Sequence, residues 1–217
     1  MTDEMLKRIG ESFPLTELDA GAYACMKANG MNYRVKSYKA EGLGHVSLMS
    51  ASGMMGLMKM EVFIVNPFFR DAPLFSNDRV HAMGRETLIL ELYNTCLDRE
   101  AFDASGLERV REAYAAYPDK DLGSHWYDPL TYPVNLAKVG KKAEKAAFDE
   151  LTVKYLSAYL EAVKTAPECS EEAKKAAARV YTEGLLSNGG PSTDVFKKGI
   201  GPEKTAELFR TVLFGTE

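Results

Sequence analysis

Glu61, Asp71 and Asp78 lie within a stretch that is otherwise apolar and aromatic: Glu61-Val62-Phe63-Ile64-Val65-Asn66-Pro67-Phe68-Phe69-Arg70-Asp71-Ala72-Pro73-Leu74-Phe75-Ser76-Asn77-Asp78-Arg79-Val80. A carboxyl group in such surroundings pairs with a cation, turns to solvent, or keeps its proton because burial disfavours the charged form. The last case makes a proton donor that works near neutral pH. For Glu61 two readings stay open, the solvent face of an alternating strand or the wall of a pocket. For Asp78 they are an ion pair with the adjacent Arg79 or contact with a bound molecule. His45 is either a hydrogen-bond donor to a ligand or a structural bond-maker. Arg70, Arg79 and Lys138 are able to pair with ligand carboxylates through charge-assisted bonds, and otherwise are solvated charges. Met49, Met54, Met55, Met58 and Met60 fit a deformable wall against a large ligand or ordinary core packing.

Other chemistries lack their motifs. Gly42-Leu43-Gly44-His45 is glycine-rich but precedes a predicted strand, so it has no helix N-terminus for phosphate and reads as a hairpin turn. No Walker sequence, nucleophile elbow or HExxH occurs, and His45, His81 and His125 are too dispersed for a metal cluster. Neither a metal nor a nicotinamide cofactor is expected. Cys25, Cys96 and Cys169 form no CxxC pair and read as buried free thiols.

The elements that must position these groups follow from hydrophobic periodicity. Alternation or apolar runs predict strands over 33–38, 45–50, 58–65 and 87–93, with Asp78 at the start of another. The short links between them favour an antiparallel meander. A helix is predicted over 5–12. Phe148, Leu151, Tyr155, Leu156, Tyr159, Leu160 and Val163 recur at three- and four-residue steps and predict a long helix over 141–164. Ser170-Glu171-Glu172 opens another that Asn188-Gly189-Gly190-Pro191 stops. Shorter helices are expected over 194–199 and 202–213. Strands followed by helices in 217 residues, 46% of them hydrophobic, predict one α+β domain over 1–217.

A net charge of −4 gives no reason to expect nucleic acid or an anionic membrane as partner. No apolar run approaches the roughly 20 residues that span a bilayer, and residues 1–10 do not resemble a signal peptide. A cytoplasmic location is expected.

The segment 61–80 resembles the central signature of the ferredoxin-dependent bilin reductases, a strand, a loop of the form D-x-P-x-F-x-x-D and a second strand. Asp71, Pro73, Phe75 and Asp78 match that loop at its spacing. Trp126-Tyr127-Asp128-Pro129 is similar to the family's tryptophan ahead of its long helix, and Lys204 to Gly215 resembles its closing helix. The resemblance implies an α/β/α sandwich with a central antiparallel β-sheet flanked by helices, and a linear tetrapyrrole such as biliverdin between sheet and C-terminal helices. It implies an oxidoreductase with no intrinsic cofactor, taking electrons singly from ferredoxin through a radical intermediate while pocket carboxylates supply protons.

By position the resemblance assigns proton donation to Asp78. Glu61 stands where one branch of the family has a histidine facing the bilin, and is the second catalytic candidate. His45, Asn66, Phe75, Arg70, Arg79 and Asn188 become candidate substrate contacts. Two departures stand out. Ser47 replaces a strand glutamate, and near Asn188 no acid aligns with the family's aspartate, Asp194 being a possible stand-in. They open the alternative of a non-catalytic tetrapyrrole-binding or carrier protein on the same fold. Because ferredoxins are acidic, the basic run Lys138, Lys141, Lys142 and Lys145 at the predicted start of the long helix is the expected docking face, with Lys197 and Lys198 a smaller one.

Overall fold

The computed structural model describes residues 1–217, apart from the side chain of Pro191. Its centre is an eight-stranded sheet: β1 (Leu15–Leu18), β2 (Cys25–Ala28), β3 (Met31–Ala40), β4 (Gly44–Gly53), β5 (Met58–Pro67), β6 (Leu74–Ala82), β7 (Arg85–Tyr93) and β8 (Leu136–Lys141). The strands run in the order β1-β3-β4-β5-β6-β7-β8, with β2 also paired to β3, and every pairing is antiparallel. The Gly42 turn joins β3 to β4 as expected, with φ +75° where glycine is free of a Cβ clash.

Alternation divides the central strands between two buried faces, whereas the short β1 and β2 are mostly exposed. On one, Phe63, Val65, Phe75, Leu88 and Leu90 pack against α1 (Thr2–Gly10) and α3 (Lys145–Thr165), which presents Phe148, Leu151, Tyr155 and Tyr159; α2 (Ser105–Ala113) buries Leu107 in the same core. On the other, Val35, Met49, Val62, Ile64 and Tyr93 face α4 (Glu171–Asn188), α5 (Pro191–Ile200) and α6 (Pro202–Glu207) with its π-helical continuation Leu208–Leu213. Each fully buried side chain of this size contributes about 1.5–3 kcal/mol, so both helix layers are firmly held. The α/β/α sandwich with its antiparallel sheet is the architecture expected.

Local signals place several boundaries. The Ser170 hydroxyl accepts from Ala173 N at 3.5 Å, and α4 ends at Gly189 with φ +83°. Several elements differ from expectation, among them α1, which spans Thr2–Gly10 rather than 5–12. β1 and β2 are four residues long, too short for periodicity to reveal. Residues 136–141 pair with β7, so the long helix starts at Lys145 rather than at 141. Helix 202–213 widens to a π-helix at Leu208. Cys25 is exposed rather than buried, because it lies on the edge strand β2; Cys96 and Cys169 are half-buried and all three are free.

Three side chains explain how the C-terminal segment is held. Successive carbonyls accept hydrogen bonds from one end of the sheet: Val212 O from His45 Nε2 at 2.8 Å, Leu213 O from Ser47 Oγ at 2.7 Å, and Phe214 O from Asn66 Nδ2 at 2.8 Å. Gly215 follows at φ +62°, and a Cβ there would lie 2.5 Å from the His45 ring. The helix end is therefore pinned flat on β4 and β5.

Candidate functional site

Between the sheet and these C-terminal helices lies a cleft of about 290 Å³, near the lower end of ligand-pocket volumes. Strand register builds its floor in rows, Met49–Val62–Asp78–Ile89 and then Ile64–Ser76–Glu91. Tyr181 and Leu185 of α4 and Phe209, Leu213 and Phe214 form the opposite wall, while His125, Tyr127, Ser192 and Thr193 complete it. No lysine or arginine lines the cleft among the described residues.

The two carboxyls on the floor are electrostatically uncompensated. Burial pushes Asp78 up to about 7, the neighbouring Glu91 charge adds to the effect, and the Ser76 hydroxyl, 3.1 Å from Oδ2, opposes it. Glu91 is also raised by burial, against a hydrogen bond of 2.5 Å from the Tyr93 hydroxyl. Tyr93 stacks on Tyr181 with ring centroids 4.4 Å apart. Tyr127 is pushed up to about 12, by burial first and then by Glu91 and Asp78. Two like-charged acids in adjacent rows of an apolar cleft do not both ionise readily, so the pair retains a proton near neutral pH. The Thr193 hydroxyl is buried without a partner among the described residues and is available to a ligand.

Of the residues singled out from sequence, Asp78 is in this cleft. It is not paired with Arg79, because consecutive strand residues face opposite ways. The same alternation corrects Glu61. With Val62 on the cleft floor, Glu61 lies on the other face, where Thr2 Oγ1 donates to it at 3.4 Å. Arg79 is likewise on the α3 side, paired with Glu86 at 3.1 Å and Asp149 at 3.4 Å. Phe75 is core there, stacked on Tyr159 at 5.3 Å.

The remaining candidates are used elsewhere. His45 and Asn66 hold the C-terminal carbonyls and do not line the cleft; burial lowers the His45 pKa to about 4, so the ring is neutral. Arg70 donates to Ala166 O at 3.3 Å and pairs with Glu168 at 3.2 Å, away from the cleft. Asn188 and Asp194 are exposed, and Ser192 and Thr193 line the cleft instead. Asp71 accepts from Leu97 N at 2.7 Å and Asp98 N at 2.9 Å, which makes it a loop clamp. Of the methionines, Met49 and Met60 line the cleft, whereas Met54 and Met55 are exposed. Lys138 is buried, donating to Tyr117 O at 2.9 Å and Asp119 at 2.7 Å, so it serves neither a ligand carboxylate nor a docking partner.

Glu91, Tyr93, His125, Tyr127 and Tyr181 were not anticipated as site residues. The signal for the first two was present: Thr87, Ile89, Glu91 and Tyr93 share one face of an alternating strand. Nothing local says that this face meets α4. Trp126 contributes indirectly, donating Nε1–H to Gly189 O at 3.0 Å and so joining the loop before Tyr127 to the end of α4.

No family model and no curated protein matches the sequence. Solved structures do match. Among them, phytochromobilin synthase from tomato, in a crystal structure with biliverdin, aligns with a TM-score of 0.80 over 99% of this chain and 82% of that one, at 13% identity. The two chains share a fold, in agreement with the resemblance read from Asp71, Pro73, Phe75 and Asp78.

Proposed function

We propose that the chain binds a linear tetrapyrrole such as biliverdin in this cleft and reduces it, as an oxidoreductase of the ferredoxin-dependent bilin reductase type. One observation carries the reading. Asp78, on the floor of an aromatic cleft, is raised to about 7 with a second carboxyl, Glu91, beside it. The fold shared with a protein solved in complex with biliverdin supports the choice of ligand.

Reducing one double bond takes two electrons and two protons. The electrons come singly from reduced ferredoxin, as the resemblance to the bilin reductases implies. The protons come from Asp78, which burial raises to about 7, and from Glu91, whose carboxyl burial also raises. After each transfer the carboxylate stands uncompensated in the cleft, which favours its reprotonation from solvent. Tyr93 steadies Glu91 through its hydroxyl. Tyr181, Phe209 and Phe214 supply the flat apolar wall that excludes water from a charged intermediate. The small volume, and the lack of lysine or arginine in the lining, leave the propionates of such a pigment at the mouth.

One observation favours the second reading, a tetrapyrrole carrier without turnover. Ser47, in place of the family's strand glutamate, directs its hydroxyl to Leu213 O rather than into the cleft. A biliverdin titration followed by anaerobic addition of reduced ferredoxin tests both. Binding at about micromolar concentration, worth about 8 kcal/mol, shifts the visible spectrum. A spectrum unchanged at tens of micromolar, roughly the limit of such affinity, overturns both readings. A shift without subsequent bleaching leaves the carrier.

A further inference from the structure

Two hairpin tips stand side by side at one end of the sheet, residues 54–57 between β4 and β5 and residues 83–84 between β6 and β7. Met83 N–H donates to Leu57 O at 3.4 Å, which ties them together. Their apices are apolar and exposed, Met54 at 60%, Met55 at 101%, Leu57 at 58% and Met83 at 82%. Turn positions with positive φ ordinarily carry Gly, Asn or Asp, yet Met54, Met55 and Met83 have φ of 50°, 54° and 49°. Large apolar side chains are thus kept where both solvation and backbone preference oppose them.

A collar of cations surrounds the tips. Lys59, Arg85, Lys141 and Lys142 are all exposed. Arg85 lies opposite Lys141 in the ladder, and Lys142 N–H donates to Gly84 O at 3.0 Å. Lys59 and Lys142 border a cleft of about 410 Å³ together with Gly56. None of the four makes an ion pair among the described residues; of the nearby acids, Glu61 in the same cleft accepts from the Thr2 hydroxyl at 3.4 Å, and the other three are committed elsewhere. Glu86 bonds Arg79 and His81, Asp149 pairs with Arg79 and Lys145, and Glu144 accepts from Lys141 N. A chain of net charge −4 therefore carries unpaired positive charge at this end.

We propose that this end is a peripheral membrane-binding surface, with the Met54, Met55, Leu57 and Met83 apices in the interfacial layer and the four cations on anionic headgroups. Lipid fits better than a protein partner because the joined tips are convex and ringed by unpaired cations, the form that an interfacial layer beneath anionic headgroups accepts. A deformable bilayer accepts a convex apolar tip, whereas a protein needs a preformed pocket for it. The surface stands apart from the tetrapyrrole reading, although Met60 and Val80, just inside the tips on β5 and β6, line the tetrapyrrole cleft.

Flotation of the purified protein with vesicles tests the assignment, using phosphatidylcholine alone and the same lipid with one third phosphatidylserine. The protein is expected to float with the anionic vesicles and to be released by salt. Met55→Ser combined with Met83→Ser lowers partition about tenfold or more, and Lys59→Glu with Lys142→Glu abolishes the preference for phosphatidylserine. All four positions are exposed, and an unchanged thermal midpoint confirms folding. Absence of flotation, or serine variants that float like the parent, overturns the proposal. Without flotation, self-association that Met55→Ser abolishes assigns the tips to a second copy of the chain. Again without flotation, ferredoxin-driven turnover slowed by the charge reversal assigns them to an acidic protein.

Discussion

Asp78 and Arg79 are adjacent in β6 and face opposite sides of the sheet, and the two sides treat charge differently. Towards α3 the charges are matched. Arg79 Nε donates to Glu86 at 3.1 Å, its Nη2 lies 3.4 Å from Asp149, and His81 Nδ1 meets Glu86 at 2.7 Å. Towards α4 the acids Asp78 and Glu91 have no cation beside them in the cleft lining. The strands are the same, and compensation is what differs. A matched buried charge locks structure in place, because removing either partner strands the other. An unmatched acid is driven to its neutral form and gains a proton to give. The unbalanced face is therefore the one on which the proposed chemistry is sited, and mutations on the two faces should separate stability from turnover.

The largest effect is expected from breaking the matched side. Glu86→Gln leaves the Arg79 guanidinium buried with a weaker partner and should destabilise by about 3–5 kcal/mol, measured by urea unfolding, while the bilin spectrum of the folded protein stays as in the parent. A cost below about 1 kcal/mol, the level of a surface pair, would dissolve the contrast between the faces.

Next comes turnover. Asp78→Asn keeps size and polarity but has no proton to transfer, so bilin binding should persist while ferredoxin-driven reduction slows about 10²-fold or more. A variant as fast as the parent removes Asp78 from proton donation.

The same substitution has a smaller, pH-dependent effect on stability. The folded-state pKa of Asp78, about 7, lies above its ordinary value of 3.8. Between the two the folded state binds more protons than the unfolded state, so stability falls as pH rises through this window and the penalty is complete above about 7. Asp78→Asn should match the parent near the lower limit and exceed it above the upper one by on the order of 2 kcal/mol, less than the full shift because Asp78 is only half-buried when no ligand covers it. Urea midpoints at about pH 4 and about pH 8 measure this. No gain at the higher pH would mean that the carboxylate ionises without cost.

The smallest effect concerns the cleft wall. Ser47→Ala removes the hydroxyl on Leu213 O and should cost about 1 kcal/mol, with faster hydrogen exchange confined to residues 208–214. Unchanged exchange there would show that packing alone holds the π-helical segment.

Much of the fold was legible because its signals are local. Alternation or apolar runs marked the longer strands β3, β4, β5 and β7, the stripe from Phe148 to Val163 marked α3, and Ser170 with Gly189 bounded α4. β8 was hidden because Lys138 and Lys141 read as a basic helix start, although the ladder with Arg85 to Leu90 claims those residues. Of the site, Asp78 was reachable through the spacing from Asp71. Phe75, at the same loop spacing, went to the opposite core because it lies an odd number of residues from Asp78. Glu91 passed as an ordinary polar position in an alternating strand.

By itself the sequence determined which residues share a face, since a strand turns each side chain opposite to the last regardless of its surroundings. It thereby grouped Val62 with Ile64, and Ser76 with Asp78, and set Glu61 and Arg79 apart from them. Only the tertiary structure decided which face became the cleft. That choice depends on strand register and on where α4 and the pinned Val212–Phe214 carbonyls settle. The pinned carbonyls bond residues 148 to 167 positions away, and no local pattern records such contacts.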